Sequence, residues 1–297
     1  MKHWIQAARL RTLPLSVSGI IVGSAYANYQ GFSDWRIVVL ALLTTLGLQV
    51  LSNYANDYGD GVKGTDANRI GEKRLVAAGI ITAGQMKKAV IITAVLTFII
   101  ALLLIYIAFG KENFALSLIF ILLGIGSIGA AIKYTVGKRA YGYSGFGDLF
   151  VFIFFGLVSV VGSNFLFTHF IDWKLFLPAT AIGLLSVAVL NLNNMRDIEN
   201  DKIAGKNTLI VKFGLKFGLW YQRVLIFLPF VFIILFFLFI NKKFPIEIAL
   251  FVGFMFVHNS YISKVINPRD FDSELKKIAL TTFVLSLVLF LKLITNY

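Results

Sequence analysis

Residues 37–60 read IVVLALLTTLGLQVLSNYANDYGD. The run Ile37–Ala55 is apolar and close to the ~20 residues that a bilayer crossing needs. It closes on Asn53, Asn56, Asp57 and Asp60. A second apolar run, Leu175–Met195, closes in the same way on Asn193, Asn194, Asp197 and Asp201. The chain has 15 acidic residues, and the two short stretches 57–66 and 197–201 hold six of them. Ionisable groups are costly near membrane depth and tend to mark function.

The 297 residues are 58% hydrophobic and 14% charged, with mean hydropathy +0.81. Soluble domains carry about 25% charged residues. The expected class is therefore all-α and polytopic in a membrane. Nine runs read as spans: Leu13–Tyr29, Ile37–Ala55, Ala89–Phe109, Phe114–Tyr134, Leu149–Phe167, Leu175–Met195, Val224–Ile240, Ile246–Ile262 and Ile278–Leu293. The short connections at Gly110–Asn113 and Asn241–Pro245 predict two antiparallel hairpins. Cysteine is absent, which excludes a disulfide framework, a thiolate nucleophile and a Cys metal site. The N-terminus reads as an uncleaved first helix rather than a secretory signal. The whole chain is expected to form one transmembrane domain.

The formal net charge is +13. In a membrane protein such an excess sets orientation, so it does not imply a nucleic-acid partner. Of the 28 Lys and Arg, 22 fall at the N-terminus and in the loops after the even-numbered spans. That bias places the N-terminus and both acidic clusters on the cytoplasmic side.

At ~100° per residue, Asn53, Asn56, Asp57 and Asp60 share about a 100° arc of a helix. Asn193, Asn194, Asp197 and Asp201 do the same, so each helix is expected to present one carboxamide–carboxylate stripe. Two carboxylate stripes on one side suit Mg²⁺, which takes one or two carboxylates plus waters and substrate phosphate oxygens. A diphosphate bridging such ions would neutralise both clusters. Lys63, Arg69, Lys73, Arg74, Lys202 and Lys206 could hold its remaining oxygens. The competing readings are interfacial loop charges, with Gly59, Gly61 and Gly64 forming a turn, and a divalent-ion transporter. A transporter should carry polar residues through the midplane, and spans 3, 7 and 9 have almost none.

Other residues stay open at this level. Arg9 and Arg11 serve either as membrane anchors or as an anion contact. Tyr141 and Tyr143 fit an interfacial tyrosine belt. Asp148 suits a helix N-terminus, with catalysis the alternative. His258 and Asn259 read as a buried polar pair across helices or as a general base. Gly124, Gly126 and Gly129 allow close helix packing.

Several of these motifs resemble those of a known family. Asn56-Asp57-Tyr58-x-Asp60-x-x-x-Gly64-x-Asp66 resembles the first motif of 1,4-dihydroxy-2-naphthoate polyprenyltransferases, in the UbiA superfamily of intramembrane prenyltransferases. Asn193-Asn194-Met195-Arg196-Asp197-Ile198-Glu199-x-Asp201, with Gly205-Lys206-x-Thr208-Leu209, resembles the second. Arg9-x-Arg11-Thr12-Leu13-Pro14 and Tyr134-Thr135-x-Gly137 through Asp148 resemble the N-terminal signature and the central loop. The chain departs from the wider superfamily at Gly64 and Asn194, and from the naphthoate branch at Lys138.

The resemblance implies nine helices around a central cavity. It implies Mg²⁺-dependent transfer of a polyprenyl group from polyprenyl diphosphate to 1,4-dihydroxy-2-naphthoate, with decarboxylation to demethylmenaquinol. Asp57, Asp60, Asp197 and Asp201 would be catalytic and would hold the metal, with Asn53 and Asn193 as further ligands. Lys63, Arg74 and Lys206 would bind diphosphate. Arg11, Arg139 and Tyr134 would bind the acceptor. The setting would be the lipid of a bacterial cytoplasmic membrane. A sibling activity on 4-hydroxybenzoate or haem remains the alternative.

Overall fold

The computed structural model describes residues 2–65, 74–137 and 140–295. The regular structure among them is helical throughout. Seven helices are long and apolar enough to cross a membrane. All nine expected spans fall on helices, but two are short: α2 (Leu13–Tyr29) has 17 residues and α10 (Ile248–Ile262) has 15. The chain divides into two compact units that interleave in sequence.

The first unit comprises Met1–Ser16, Asp34–Gly147 and Asp197–Thr208. It contains α1 (Lys2–Ala8), α3 (Trp35–Lys63), α4 (Ala83–Phe109), α5 (Phe114–Lys133) and the short α8 (Ile198–Ile203). Helix α3 packs on α1, α4 and α5. It starts where the Asp34 carboxylate accepts the Arg36 N–H, and ends at Gly64 in the left-handed region, φ 71°. A capping box of Thr82 and Gln85 starts α4. Gly110 ends it and opens the expected hairpin to α5. Gly47 lets α4 approach α3: a Cβ there would lie 2.4 Å from Thr97 Oγ1. The glycines of α5 behave otherwise. Gly124, Gly126 and Gly129 have nothing within 4 Å, and α5 buries none of its residues, so the expected close packing at these three is not found.

The second unit comprises Val17–Ser33, Asp148–Arg196 and Leu209–Tyr297. It holds most of α2, then α6 (Gly147–Thr168), α7 (Phe176–Arg196), α9 (Leu209–Phe239), α10 and α11 (Phe271–Ile294). Helix α7 is the centre, packed on α6, α9 and α11. Small residues set the spacing, as is usual where lipid removes the hydrophobic drive. A Cβ at Gly19 or Gly23 of α2 would overlap Ser159 or Ser163 of α6. Residues Phe152–Gly162 of α6 are wound as π-helix.

Polar bonds across helices complete this unit. His258 Nδ1 lies 2.5 Å from Glu274 Oε2, and its Nε2 faces the Gln222 amide at 3.4 Å. Gln222 accepts from Asn191 of α7. His258 is thus the expected cross-helix group, whereas Asn259 accepts from the exposed side of Arg223. Arg196, at the end of α7, is buried and bonds Asp272 and Asn193.

Candidate active site

The first acidic stripe lies on α3, as helical spacing predicts, and continues the helix beyond the expected end of the span at Ala55. Its members have different partners. Asn53 donates to the Ala8 carbonyl and to Thr12 Oγ1, at 2.8 and 3.1 Å, and Gln49 donates to its oxygen. That carboxamide holds the N-terminal turn, where Arg9 sits in the left-handed region at φ 51° and Arg11 follows half-buried. Asp57 accepts the backbone N–H groups of Leu75 and Val76, each at 3.0 Å. Those bonds fix the start of the 75–80 turn against α3.

Asp60 is 1% exposed, and among the described residues its carboxylate meets only side chains. The Tyr143 hydroxyl donates to Oδ1 at 2.7 Å. Arg74 and Lys206 approach Oδ2, each at 3.4 Å. Lys206 Nζ is also 3.7 Å from Asp201 Oδ1. The ammonium therefore sits between a carboxylate of each motif. Lys63 donates to the Thr135 carbonyl at 2.7 Å and lies over the Tyr143 ring, 4.0 Å from its centroid; Lys206 is 4.9 Å from the same centroid. Three expected diphosphate ligands thus converge on one carboxylate–phenol pair.

The second stripe is not one helix. Helix α7 ends at Arg196, Asp197 has φ −97° and ψ 9°, and α8 begins at Ile198. The expectation of a continuous 100° arc from Asn193 to Asp201 is corrected accordingly. Asn193 stays with α7 and accepts from Arg196. Asp197 and Asp201 are buried in the first unit. Segment 197–208 is tied to the first motif by Asn200 donating to the Thr65 carbonyl, and to the central loop by the Asn207 N–H donating to the Tyr143 carbonyl, each at 2.9 Å.

Gly59 and Gly61 are not turn glycines. Both lie within α3, and only Gly64 turns the chain. At Gly59 a Cβ would lie 2.7 Å from Thr135 Oγ1 and 2.9 Å from its backbone carbon. At Gly61 it would meet Val76 at 2.6 Å. Thr135 uses the space to donate to the Ala55 carbonyl and Asn56 Oδ1. Tyr134, beside it, packs edge-on against Tyr141. The Tyr141 hydroxyl donates to the Ala130 carbonyl, and burial pushes that phenol up to about 12. Tyr143, Asn200, Thr65 and Thr135 join the candidate site by these contacts, and motif spacing alone assigns them no role. Arg139, Lys138, Asp66, Arg69 and Lys73 lie outside the described residues.

Among the described residues, no group of three or more His, Cys, Asp or Glu side chains gathers as a metal cluster. The donor set still fits Mg²⁺. Two carboxylates converge on one ammonium, and Mg²⁺ takes few carboxylates, completing its shell with water and phosphate oxygens.

Residues 16–291 match the UbiA prenyltransferase family. The chain belongs to that family. It is 51% identical over 212 residues to a 1,4-dihydroxy-2-naphthoate octaprenyltransferase of Escherichia coli K12, covering 71% of this chain and 68% of that one. It is 49% identical over 230 residues to the enzyme of that name from Haemophilus influenzae, covering 76% and 74%. A UbiA homolog from Archaeoglobus fulgidus bound to GPP and Mg²⁺ shares the fold, with TM-score 0.66 and 16% identity over 97% of this chain and 99% of that one. The protein is a multi-pass membrane prenyltransferase, and the carboxylate–cation cluster of its first unit is its candidate active site.

Proposed function

We propose that this prenyltransferase moves a polyprenyl group from polyprenyl diphosphate to 1,4-dihydroxy-2-naphthoate, with loss of CO₂, at the cytoplasmic face of a bacterial cytoplasmic membrane. The single observation that carries the reading is Lys206, held between Asp60 and Asp201. Carboxylates of both motifs and three basic side chains meet there, the arrangement a metal-bound diphosphate needs. The naphthoate acceptor is supported by the octaprenyltransferases at 51% and 49% identity. The cytoplasmic side is supported by the skew of Lys and Arg.

Asp60 and Asp201, with Asp57 and Asp197 beside them, would hold Mg²⁺, whose charge stabilises the diphosphate as it leaves. Lys63, Arg74 and Lys206 would take the phosphate oxygens left over. The allylic C–O bond breaks and its electron pair leaves with diphosphate. A ring bond forms at the carboxyl-bearing carbon, and the pair of the ring–carboxylate bond restores aromaticity as CO₂ departs. The step balances without a net proton transfer, so it requires no general base. The apolar prenyl chain stays in lipid, and exclusion of water protects the cation.

The test is one assay: purified protein, Mg²⁺, labelled polyprenyl diphosphate and a panel of aromatic acceptors. The expected result is prenylation of the naphthoate with one CO₂ released per transfer. Prenylation of 4-hydroxybenzoate alone overturns the acceptor. Undiminished activity in excess EDTA overturns the metal.

A further inference from the structure

Asp60 has one oxygen in use by a neutral donor and one facing cations. The phenol of Tyr143 donates to Oδ1 at 2.7 Å, an ordinary length for an O–H and a carboxylate. Arg74 and Lys206 both meet Oδ2. Tyr143 is itself fixed from three sides. Its hydroxyl lies 3.2 Å from Thr65 Oγ1, its ring carries the two lysine ammoniums, and its carbonyl accepts from Asn207.

We infer that Tyr143 is a positioning residue that occupies one lone pair of Asp60 Oδ1, turns Oδ2 toward a cation and thereby biases the metal preference of the site. The inference rests on the metal reading above and deepens it. A carboxylate oxygen that accepts a hydroxyl has one of its two lone pairs taken, which favours end-on ligation through the other oxygen over ligation through both. Mg²⁺ is small and demands near-octahedral geometry. Ca²⁺ is larger, takes six to eight oxygens and accepts two from one carboxylate. Capping Oδ1 therefore penalises Ca²⁺ more than Mg²⁺. Tyr143→Phe removes the cap while keeping the ring on which Lys63 and Lys206 rest.

The test is direct binding to the full chain in detergent, with inorganic diphosphate as the probe. Calorimetry gives Kd for Mg²⁺ and for Ca²⁺ in its presence, for the native protein and for Tyr143→Phe. The expected result is a shift of the Ca²⁺/Mg²⁺ preference toward Ca²⁺ by about tenfold, because ligation through both oxygens no longer competes with the hydroxyl. Metal-free diphosphate affinity should fall further in Tyr143→Leu, which removes the ring as well, than in Tyr143→Phe. Unchanged Ca²⁺/Mg²⁺ preference in a Tyr143→Phe protein that melts like the native one overturns this role and leaves the function reading intact. If the native protein binds neither metal in the presence of diphosphate, the function reading fails with it. Should Tyr143→Phe melt early, the Ca²⁺/Mg²⁺ preference is read in Tyr143→Leu at saturating diphosphate, since that variant withdraws the same hydroxyl. A preference unmoved in both variants overturns the proposal.

Discussion

Asp57 and Asp60 stand one helical turn apart on α3, and among the described residues the first carboxylate accepts two backbone N–H groups while the second meets only side chains. The two carboxylates should therefore fail differently. Asp57→Asn leaves one buried N–H without a charged acceptor, a loss of about 1–3 kcal/mol. It should lower the melting temperature as well as turnover. Asp60→Asn and Asp201→Asn should also lower melting, because each leaves Lys206 short of a buried counter-charge. In the protein that stays folded they should cut turnover on the order of 10²-fold, since each removes charge at the diphosphate. Scanning fluorimetry in detergent, paired with the transfer assay, separates the two patterns. Near-native turnover by a well-folded Asp60→Asn or Asp201→Asn protein would falsify the site.

Gly59 gives a second separation. Alanine normally stabilises a helix interior by about 1 kcal/mol over glycine. Here its Cβ would lie 2.9 Å from the Thr135 backbone carbon, which no rotamer change relieves. Gly59→Ala should lower both stability and turnover. Gly84→Ala, on α4 with nothing within 4 Å, should be neutral or stabilising. Equal melting temperatures for the two variants would show that Thr135 does not press on α3.

The contrast between these glycines also shows what was legible in the sequence. The Asp57–Asp60 stripe could be read because helical spacing is local, and it lies on one unbroken helix. The second stripe could not, because the break at Asp197 accompanies docking of its segment onto Thr65 and Tyr143, far away in sequence. Gly59 and Gly61 have the composition of a turn and serve an approach of distant backbone. Gly124 has the composition of a packing face and meets nothing. Tyr143 looked like one more interfacial tyrosine because its partner is 83 residues away. Both hairpins and the apolar helices were legible, since hydropathy and short connections are local signals.

In the second unit, His258 and Glu274 form a buried pair with Lys277 at its edge. Glu274→Leu removes the acceptor of a fully buried ring nitrogen, and Lys277, half-exposed, can turn to solvent. The variant should lose about 1–3 kcal/mol of stability. A double-mutant cycle with His258→Ala should return a coupling in that range. A coupling within ~0.3–0.5 kcal/mol of zero would mean the two side chains are independent despite their contact.

The orientation is tested without touching the site. The chain has no cysteine, so single introduced cysteines are clean reporters. Lys212→Cys lies in a region expected on the cytoplasmic side, and Lys243→Cys in a hairpin expected outside. An impermeant maleimide added to intact cells should label Lys243→Cys only. Labelling of Lys212→Cys would invert the assignment.

Arg11 bears on the acceptor. It lies in the 3₁₀ turn Leu10–Thr12, and Asn53 of the first motif holds that turn through Ala8 and Thr12. The turn that presents Arg11 is therefore fixed to the helix that carries Asp57 and Asp60. The proposed acceptor bears a carboxylate, and a guanidinium is the side chain best shaped to orient one. One charge-assisted contact is worth about 1.5–3 kcal/mol, roughly tenfold or more in affinity. Arg11→Ala should raise the KM for the naphthoate by about that factor and leave the KM for polyprenyl diphosphate nearly unchanged. Asn53→Ala should act in the same direction and more weakly, because it loosens the turn without removing the charge. Equal losses toward both substrates would place Arg11 with the diphosphate instead, and unchanged kinetics would leave it an anchor at the membrane surface.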